Sequence, residues 1–161
     1  MKRNAAPSPL PTRLTGPAES PGFQLWKISN AWQRAQRLAL QPFGLTHSQF
    51  VVLATVTWFG ASETLTQARV AQLAGIDPMT TSQVLRALET AALIERGDHP
   101  SDPRAKQIAA TRAGRDLARK AVVVVEETDA AFFQPVARNG AQLIKLFQAL
   151  VQGNERTETD E

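Results

Sequence analysis

Gly75-Ile76-Asp77-Pro78 constrains this chain more than any other feature, because it closes one helix and opens the next within four residues. Glycine suits the left-handed residue that ends a helix, Asp is a favoured N-cap, and Pro is favoured at the first helical position. Upstream, Thr66 is placed to cap a helix that buries Val70, Leu73 and Ala74. Downstream, Val84, Leu85 and Leu88 share the inner face of the second helix. Two short helices joined by a tight, glycine-containing turn form a helix-turn-helix. Leu93 and Ile94 then lead into a short strand, residues 99–104 (His99-Pro100-Ser101-Asp102-Pro103-Arg104) form a turn-rich tip, and residues 106–111 return as a second strand. The hairpin makes the unit winged.

The second helix of such a unit can lie in the DNA major groove, which is about wide enough to admit one. Off its apolar face it carries Thr80, Ser82, Gln83 and Arg86, which offer hydroxyl, amide and guanidinium groups. Gln pairs with adenine and Arg with guanine through two hydrogen bonds each, while hydroxyls and free helix-start N–H groups suit phosphates. The same residues would serve as the wet side of any surface helix. The hairpin that follows decides for DNA: Arg104 at its tip can enter a narrow minor groove, with Asp102 expected to hold its guanidinium.

Around this reader the sequence is helical. Residues 1–21 carry five prolines and read as a flexible arm. Leu25, Ile28, Trp32, Ala35 and Ala39 recur at steps of three and four, a helical stripe widened by Phe23, Trp26 and Leu38 and broken at Pro42 and Gly44. Thr46 and Gln49 have the spacing of a capping box ahead of Phe50, Leu53, Ala54 and Trp58. Helix resumes near Arg112, where Ala-rich and charged flanks favour helix over strand for residues 122–125. A last helix spans about 139–151, with Leu143, Leu146, Phe147 and Leu150 on one face, before an acidic tail at 153–161. The expected fold class is mainly α with a small β-hairpin wing: a winged helix-turn-helix lobe (46–111) inside a domain of 22–152, flanked by helical segments 22–41 and 112–152.

The chain has no cysteine, which excludes disulfides, thiolate metal sites and cysteine nucleophiles. No phosphate-binding Gly-rich loop, nucleophile elbow or paired-His zinc motif occurs, so no catalytic centre, metal or cofactor is expected. No apolar run reaches the roughly 18 residues that span a bilayer, and the basic N-terminus lacks the apolar stretch of a signal peptide. The expected location is the cytoplasm. Residues 1–40 hold six Lys or Arg against Glu19 alone, and the C-terminal end is acidic; this layout is compatible with DNA and equally with an ordinary solvated surface.

In order and spacing, four stretches resemble the MarR family of bacterial transcriptional regulators. They are Leu45-Thr46-His47-Ser48-Gln49-Phe50-Val51-Val52-Leu53, Val70-Ala71-Gln72-Leu73-Ala74-Gly75-Ile76-Asp77, Leu88-Glu89-Thr90-Ala91-Ala92-Leu93-Ile94-Glu95-Arg96, and Asp102-Pro103-Arg104 followed by Ala110-Thr111. The resemblance spans about residues 22–150. It implies a homodimer built from the first helix and the last two, acting on a pseudo-palindromic double-stranded operator, most commonly as a repressor. It also implies that Pro78, Met79, Thr80, Ser82, Gln83 and Arg86 face the major groove, with Asp102, Arg104 and Lys106 in the wing. Four positions depart from the family pattern: Gln83 stands where Arg is common, Arg86 where an acidic residue is frequent, Ala87 where a basic one is, and Ala92 where Gly is usual.

Many relatives bind small phenolic or aromatic acids between their dimer and DNA-binding lobes. By that resemblance Trp26, Trp32, His47, Phe50 and Trp58 are the candidate lining residues here. Tryptophans at helical spacing also serve as core or dimer interface, and His47 falls in the first turn of its helix, a surface position. A winged helix can instead present its helix to a partner protein. The polar, cation-bearing face of residues 79–86 counts against that alternative, because protein interface cores are richer in aromatics.

Overall fold

The computed structural model describes residues 10–159. Six helices and one hairpin follow in the order α1 (Pro21–Leu40), α2 (His47–Phe59), α3 (Gln67–Ala74), α4 (Pro78–Thr90), β1 (Ile94–Asp98), β2 (Lys106–Ala110), α5 (Arg112–Phe133) and α6 (Gly140–Thr159). The expected architecture is present. The stretch 122–125 is helical within α5, where β-branched residues are accommodated by packing rather than by strand pairing.

Side-chain caps set most of the helix starts. Ser20, Thr46, Thr66, Asp77 and Thr111 each accept a hydrogen bond from a backbone N–H three residues on. The Thr46–Gln49 capping box is complete: Thr46 Oγ1 accepts from the Gln49 N–H at 3.2 Å, and Gln49 Oε1 accepts from the Thr46 N–H at 2.9 Å. The first of these caps lies in the region read as an unstructured arm, where a 3-10 turn at Pro17–Glu19 precedes Ser20. Residues 1–9 of that arm lie outside the described residues. The last helix differs as well: a 3-10 turn at Gln134–Asn139 precedes α6, which continues through Thr159 into the segment read as a tail.

One core joins the helices to the hairpin. Leu40, Leu53, Leu65, Leu85, Leu88 and Ile108 are fully buried, with Val52, Val56 and Val70 filling between them. The strands pair antiparallel with Ile94 opposite Ala110 and Asp98 opposite Lys106. A third backbone segment joins the hairpin: Leu65 bridges Ile108, whose N–H donates to the Leu65 carbonyl at 2.8 Å. A single bridging residue has no strand periodicity, so no pattern in the chain announces it.

The ends of α3 and α4 close with the same left-handed motif. After α3, Gly75 has φ 62°, its N–H donates to the Gln72 carbonyl and the Ile76 N–H to the Ala71 carbonyl. After α4, Ala92 has φ 56°, its N–H donates to the Glu89 carbonyl and the Leu93 N–H to the Leu88 carbonyl. This is the Schellman arrangement, and the second copy uses a residue with a Cβ. A left-handed L-residue costs about 1–2 kcal/mol, partly offset by the extra freedom glycine brings to the unfolded chain. Ala92→Gly is therefore expected to stabilise the protein by about 0.5–1 kcal/mol, read as a higher urea midpoint at unchanged m-value. An unchanged or lower midpoint would show that Ala92 carries no strain.

Candidate nucleic-acid interface

Burial sorts the residues of α4 by role. Val84, Leu85, Leu88 and Thr81 point into the core. The Thr81 hydroxyl donates to the Ile76 carbonyl, tying α4 to the turn before it. Pro78, Met79, Gln83 and Arg86 are exposed, Met79 to 74%, while Thr80 and Ser82 are half-buried at the edge of that face. The Asp77 carboxylate accepts from the Thr80 N–H at 2.9 Å, and hydrogen bonding from the Thr80 side chain, together with this backbone bond, holds its pKa below the ordinary carboxylate range. The cap fixes the angle at which α4 leaves the turn. An exposed Met79 beside polar neighbours suits apolar contact with a thymine methyl group.

The wing is shaped by residues at its base and tip. The Asp102 carboxylate accepts from the Arg104 backbone N–H at 2.9 Å. Asp102 was expected to hold the Arg104 guanidinium; it folds the backbone instead, and Arg104 has no ion pair among the described residues. His99 Nδ1 accepts from the Ser101 and Asp102 N–H groups and so staples the other side of the tip. That role was not visible in the sequence, because it depends on the ring folding back over its own turn. Lys106 Nζ lies 2.6 Å from Asp98 Oδ1, and the pair pulls the Asp98 pKa down. Both side chains are largely exposed, so the ion pair is weak, and Lys106 can exchange it for a phosphate.

The five residues expected to line an effector site are only partly brought together. Trp32 and His47 meet edge to face with ring centroids 4.8 Å apart. Phe50 is buried in the core, and Trp26 (66% exposed) and Trp58 (78% exposed) stand on outer faces of α1 and α2. A helical stripe specifies a face, not what covers it, so Trp58 falls off the α2 face that buries Phe50, Leu53 and Val56. The structure adds Asp129 from α5, which sequence reading missed across 97 residues of separation. Asp129 Oδ1 accepts from Trp32 Nε1 at 2.7 Å and from Gln36 Nε2 at 2.7 Å. Gln36 is fully buried, and its Oε1 has no protein partner. Beside His47 lies a groove of about 520 Å³ lined by Gln33, Arg37, Leu38, Gln41 and Leu45.

Burial lowers the His47 pKa below its ordinary value, and the Asp129 charge only partly restores it. The unfolded chain then binds a proton at a higher pH than the folded one. Stability contributed by neutral His47 is present above the ordinary value of about 6.5 and is lost as pH falls below it. Replacing His47 with Gln is expected to flatten the stability profile just below pH 6.5, measured by urea unfolding across that window. An identical slope in the variant would place the titration elsewhere.

An outward polar helix and a cationic hairpin tip on one small lobe define a winged helix-turn-helix protein of the DNA-binding class. Residues 41–127 match the family described as the ArnR1-like winged-helix domain. The Bacillus subtilis HTH-type transcriptional regulator YdcH is 39% identical over 123 residues, covering 76% of this chain and 84% of that protein. The Mycobacterium tuberculosis transcriptional repressor Rv2887 is 33% identical over 109 residues, covering 68% and 76%. The structure of Rv2887, a MarR family protein, in complex with salicylic acid matches at a TM-score of 0.62 and covers 81% of this chain and 96% of that one. CouR from Rhodococcus jostii bound to p-coumaroyl-CoA is 28% identical with a TM-score of 0.75, covering 85% and 95%. The chain belongs to the MarR family of winged helix-turn-helix transcriptional regulators. It is a DNA-binding regulator rather than an enzyme, and the protein-interaction alternative is not favoured. Among the described residues, no helix is long and apolar enough to cross a membrane.

Proposed function

We propose that the protein is a homodimeric, cytoplasmic repressor of a pseudo-palindromic operator, released by a small aromatic acid. The observation that carries the DNA half is the exposed Gln83–Arg86 face of α4 beside a wing tip whose Arg104 has no ion pair among the described residues. Pro78, Met79, Thr80 and Ser82 complete the groove-facing surface, with Asp102 shaping the wing and Lys106 reaching a phosphate. A two-fold dimer sets its half-sites about 34–36 Å apart.

The dimer reading rests on apolar surface that the single chain leaves uncovered. Leu25 and Ile28 of α1 and Ile144, Leu146, Phe147, Leu150 and Val151 of α6 are all exposed. The main contact of α6 within the chain is the 3-10 turn that precedes it. A second copy that covers these helices removes a large apolar surface from water.

The effector reading rests on the groove beside His47. Arg37 supplies a cation for a carboxylate, Leu38 and Leu45 supply apolar wall, and the Trp32–His47 pair sits where α1, α2 and α5 meet. An acid that prefers one spacing of the lobes shifts the population away from the DNA-binding form. The salicylic acid ligand of Rv2887 points to the chemical class.

The test is a titration against the protein's own upstream intergenic DNA and an unrelated duplex, at low salt and at about 150 mM salt, with and without salicylate. A preference for the upstream fragment that survives salt and is lost with salicylate supports operator recognition and release, and sedimentation of the free protein as a dimer supports the pairing of α1 and α6. Equal, salt-labile binding to both duplexes would refute operator recognition, and equal affinity with and without saturating salicylate would refute release by this acid.

A further inference from the structure

His99 is half-buried at the point where β1 gives way to the wing tip. Its Nδ1 accepts from the Ser101 N–H at 3.3 Å and from the Asp102 N–H at 3.2 Å, and the Ser101 hydroxyl lies 3.5 Å from the same atom. An imidazole nitrogen accepts a hydrogen bond only when it carries no proton, so this geometry requires the neutral ring with its proton on Nε2. From there the tip continues as a relay. His99 holds the Asp102 N–H, the Asp102 carboxylate accepts from the Arg104 N–H at 2.9 Å, and the Asp102 carbonyl accepts from the Ala105 N–H at 3.1 Å. The backbone that presents Arg104 is therefore shaped from His99 onward.

These bonds matter because the tip has little else to hold it. Residues 100–104 are all exposed and lie beyond the last strand pair, Asp98 opposite Lys106. Pro100 and Pro103 fix φ at two positions, and the rest of the shape comes from the side-chain bonds. A loop that lacks them pays conformational entropy for every residue it orders on DNA. A proton on Nδ1 would turn that nitrogen into a donor facing two N–H donors, and histidine is the side chain whose ordinary titration falls between about pH 5 and 8. The charged groups around the ring are Asp98 on β1, Asp102 and Arg104 in the tip, and Lys106 on β2. Both carboxylates already have partners, Asp98 in Lys106 Nζ at 2.6 Å and Asp102 in the Arg104 N–H.

We propose that neutral His99 is the positioning residue for Arg104: it preorganises the wing tip for DNA, and a proton on its Nδ1 withdraws that support. The inference rests on Arg104 contacting DNA. It also fixes a sign. A histidine that acted only through its charge would strengthen DNA binding when protonated, because it adds a cation beside the phosphates, whereas a positioning histidine weakens it.

The full-length, isotope-labelled protein is first followed without DNA. Near pH 8 the ring nitrogen shifts of His99 are expected to be those of the Nε2–H tautomer, and the Ser101, Asp102 and Arg104 amide signals to move together with the ring as it is protonated. DNA titrations at fixed low salt follow, at about pH 8 and about pH 5.5, across the range in which histidine titrates. His99→Asn places Oδ1 as many bonds from the backbone as Nδ1 and takes up no proton. It is expected to bind like the parent near pH 8 and severalfold more tightly than the parent near pH 5.5. His99→Ala is expected to be severalfold weaker near pH 8 on the operator and on an unrelated duplex alike, and to add nothing in the Arg104→Ala background. His47 is present in every variant, so its own titration cancels from these comparisons. An Nδ1–H tautomer near pH 8, tighter binding by the parent than by His99→Asn near pH 5.5, or additive losses for His99→Ala and Arg104→Ala would overturn the inference. Unchanged binding for Arg104→Ala would overturn the wing contact and this inference with it, whereas a loss for Arg104→Ala with none for His99→Ala would overturn the role of His99 alone.

Discussion

Gly114→Ala is expected to destabilise the protein by about 3 kcal/mol or more, at the upper end of overpacking effects, and to leave little folded material at 37 °C. Intrinsic helix propensity says the opposite, because Gly114 lies within α5, where Ala is favoured over Gly by about 1 kcal/mol. Packing decides the sign. A Cβ at Gly114 would meet the Leu93 carbonyl oxygen, with the Leu93 carbonyl carbon at 2.9 Å and Leu53 Cδ1 at 3.2 Å. The nearest obstacle is backbone, so no rotamer change relieves it. The same carbonyl accepts from the Thr111 N–H at 3.0 Å, and the Thr111 hydroxyl donates to the Ala92 carbonyl at 2.8 Å while capping α5. Moving Leu93 away would loosen the junction that joins the end of α4, the wing and α5. Urea unfolding monitored by tryptophan fluorescence measures the effect. A midpoint equal to or above that of the parent would mean the close approach is relaxed in solution.

Arg104→Ala and Gln83→Ala are expected to separate two kinds of DNA contact. Arg104 stands on the wing tip with no ion pair among the described residues, and as a proposed backbone contact its loss is expected to remove one cation's worth of attraction to any duplex. The operator and an unrelated duplex should both be bound more weakly, and the slope of log affinity against log salt should fall by about one per half-site. Gln83 is exposed on α4, where its amide suits a base edge. Its loss should cost about 1–3 kcal/mol at one base position, and in a symmetric dimer it recurs at the matching position of the second half-site. The affinity for the operator then falls by roughly thirtyfold or more, with little change on unrelated DNA. Titration of both variants against a panel of single-base operator substitutions reads this out. A uniform loss for Gln83→Ala would rule out base readout there, and a sequence-dependent loss for Arg104→Ala would place that side chain on base edges or on a shape-dependent groove.

The departures from the family pattern bear on what the DNA must look like. Gln83 and Arg86 are both exposed on the outward side of α4, and the unusual Ala87 is exposed beside them. Their chemistry differs from the common arrangement at the face proposed to read bases, so the operator is expected to differ from those of relatives even where the docking is shared.

Local chemistry was enough to place the reader. The Gly75 and Asp77-Pro78 signals, the Thr46–Gln49 capping box and the inner face of Val84, Leu85 and Leu88 depend on residues within a few positions of one another, and each took the form its residue types favour. The positions of the two hairpin strands followed from the same kind of signal. What the sequence could not contain were relations between distant segments. Asp129 joins Trp32 and Gln36 only because α5 packs along α1; Leu65 meets Ile108 only because the loop before α3 is drawn over β2. Periodicity likewise could not tell an apolar face that packs within the chain from one left exposed: Leu25, Ile28 and Trp58 carry the same pattern as Leu40 and Leu53, yet stand in solvent. Helix starts and ends are decided by short-range hydrogen bonds and backbone preference. Which faces meet, and which polar groups are left to bind something else, are decided by the packing of the whole chain.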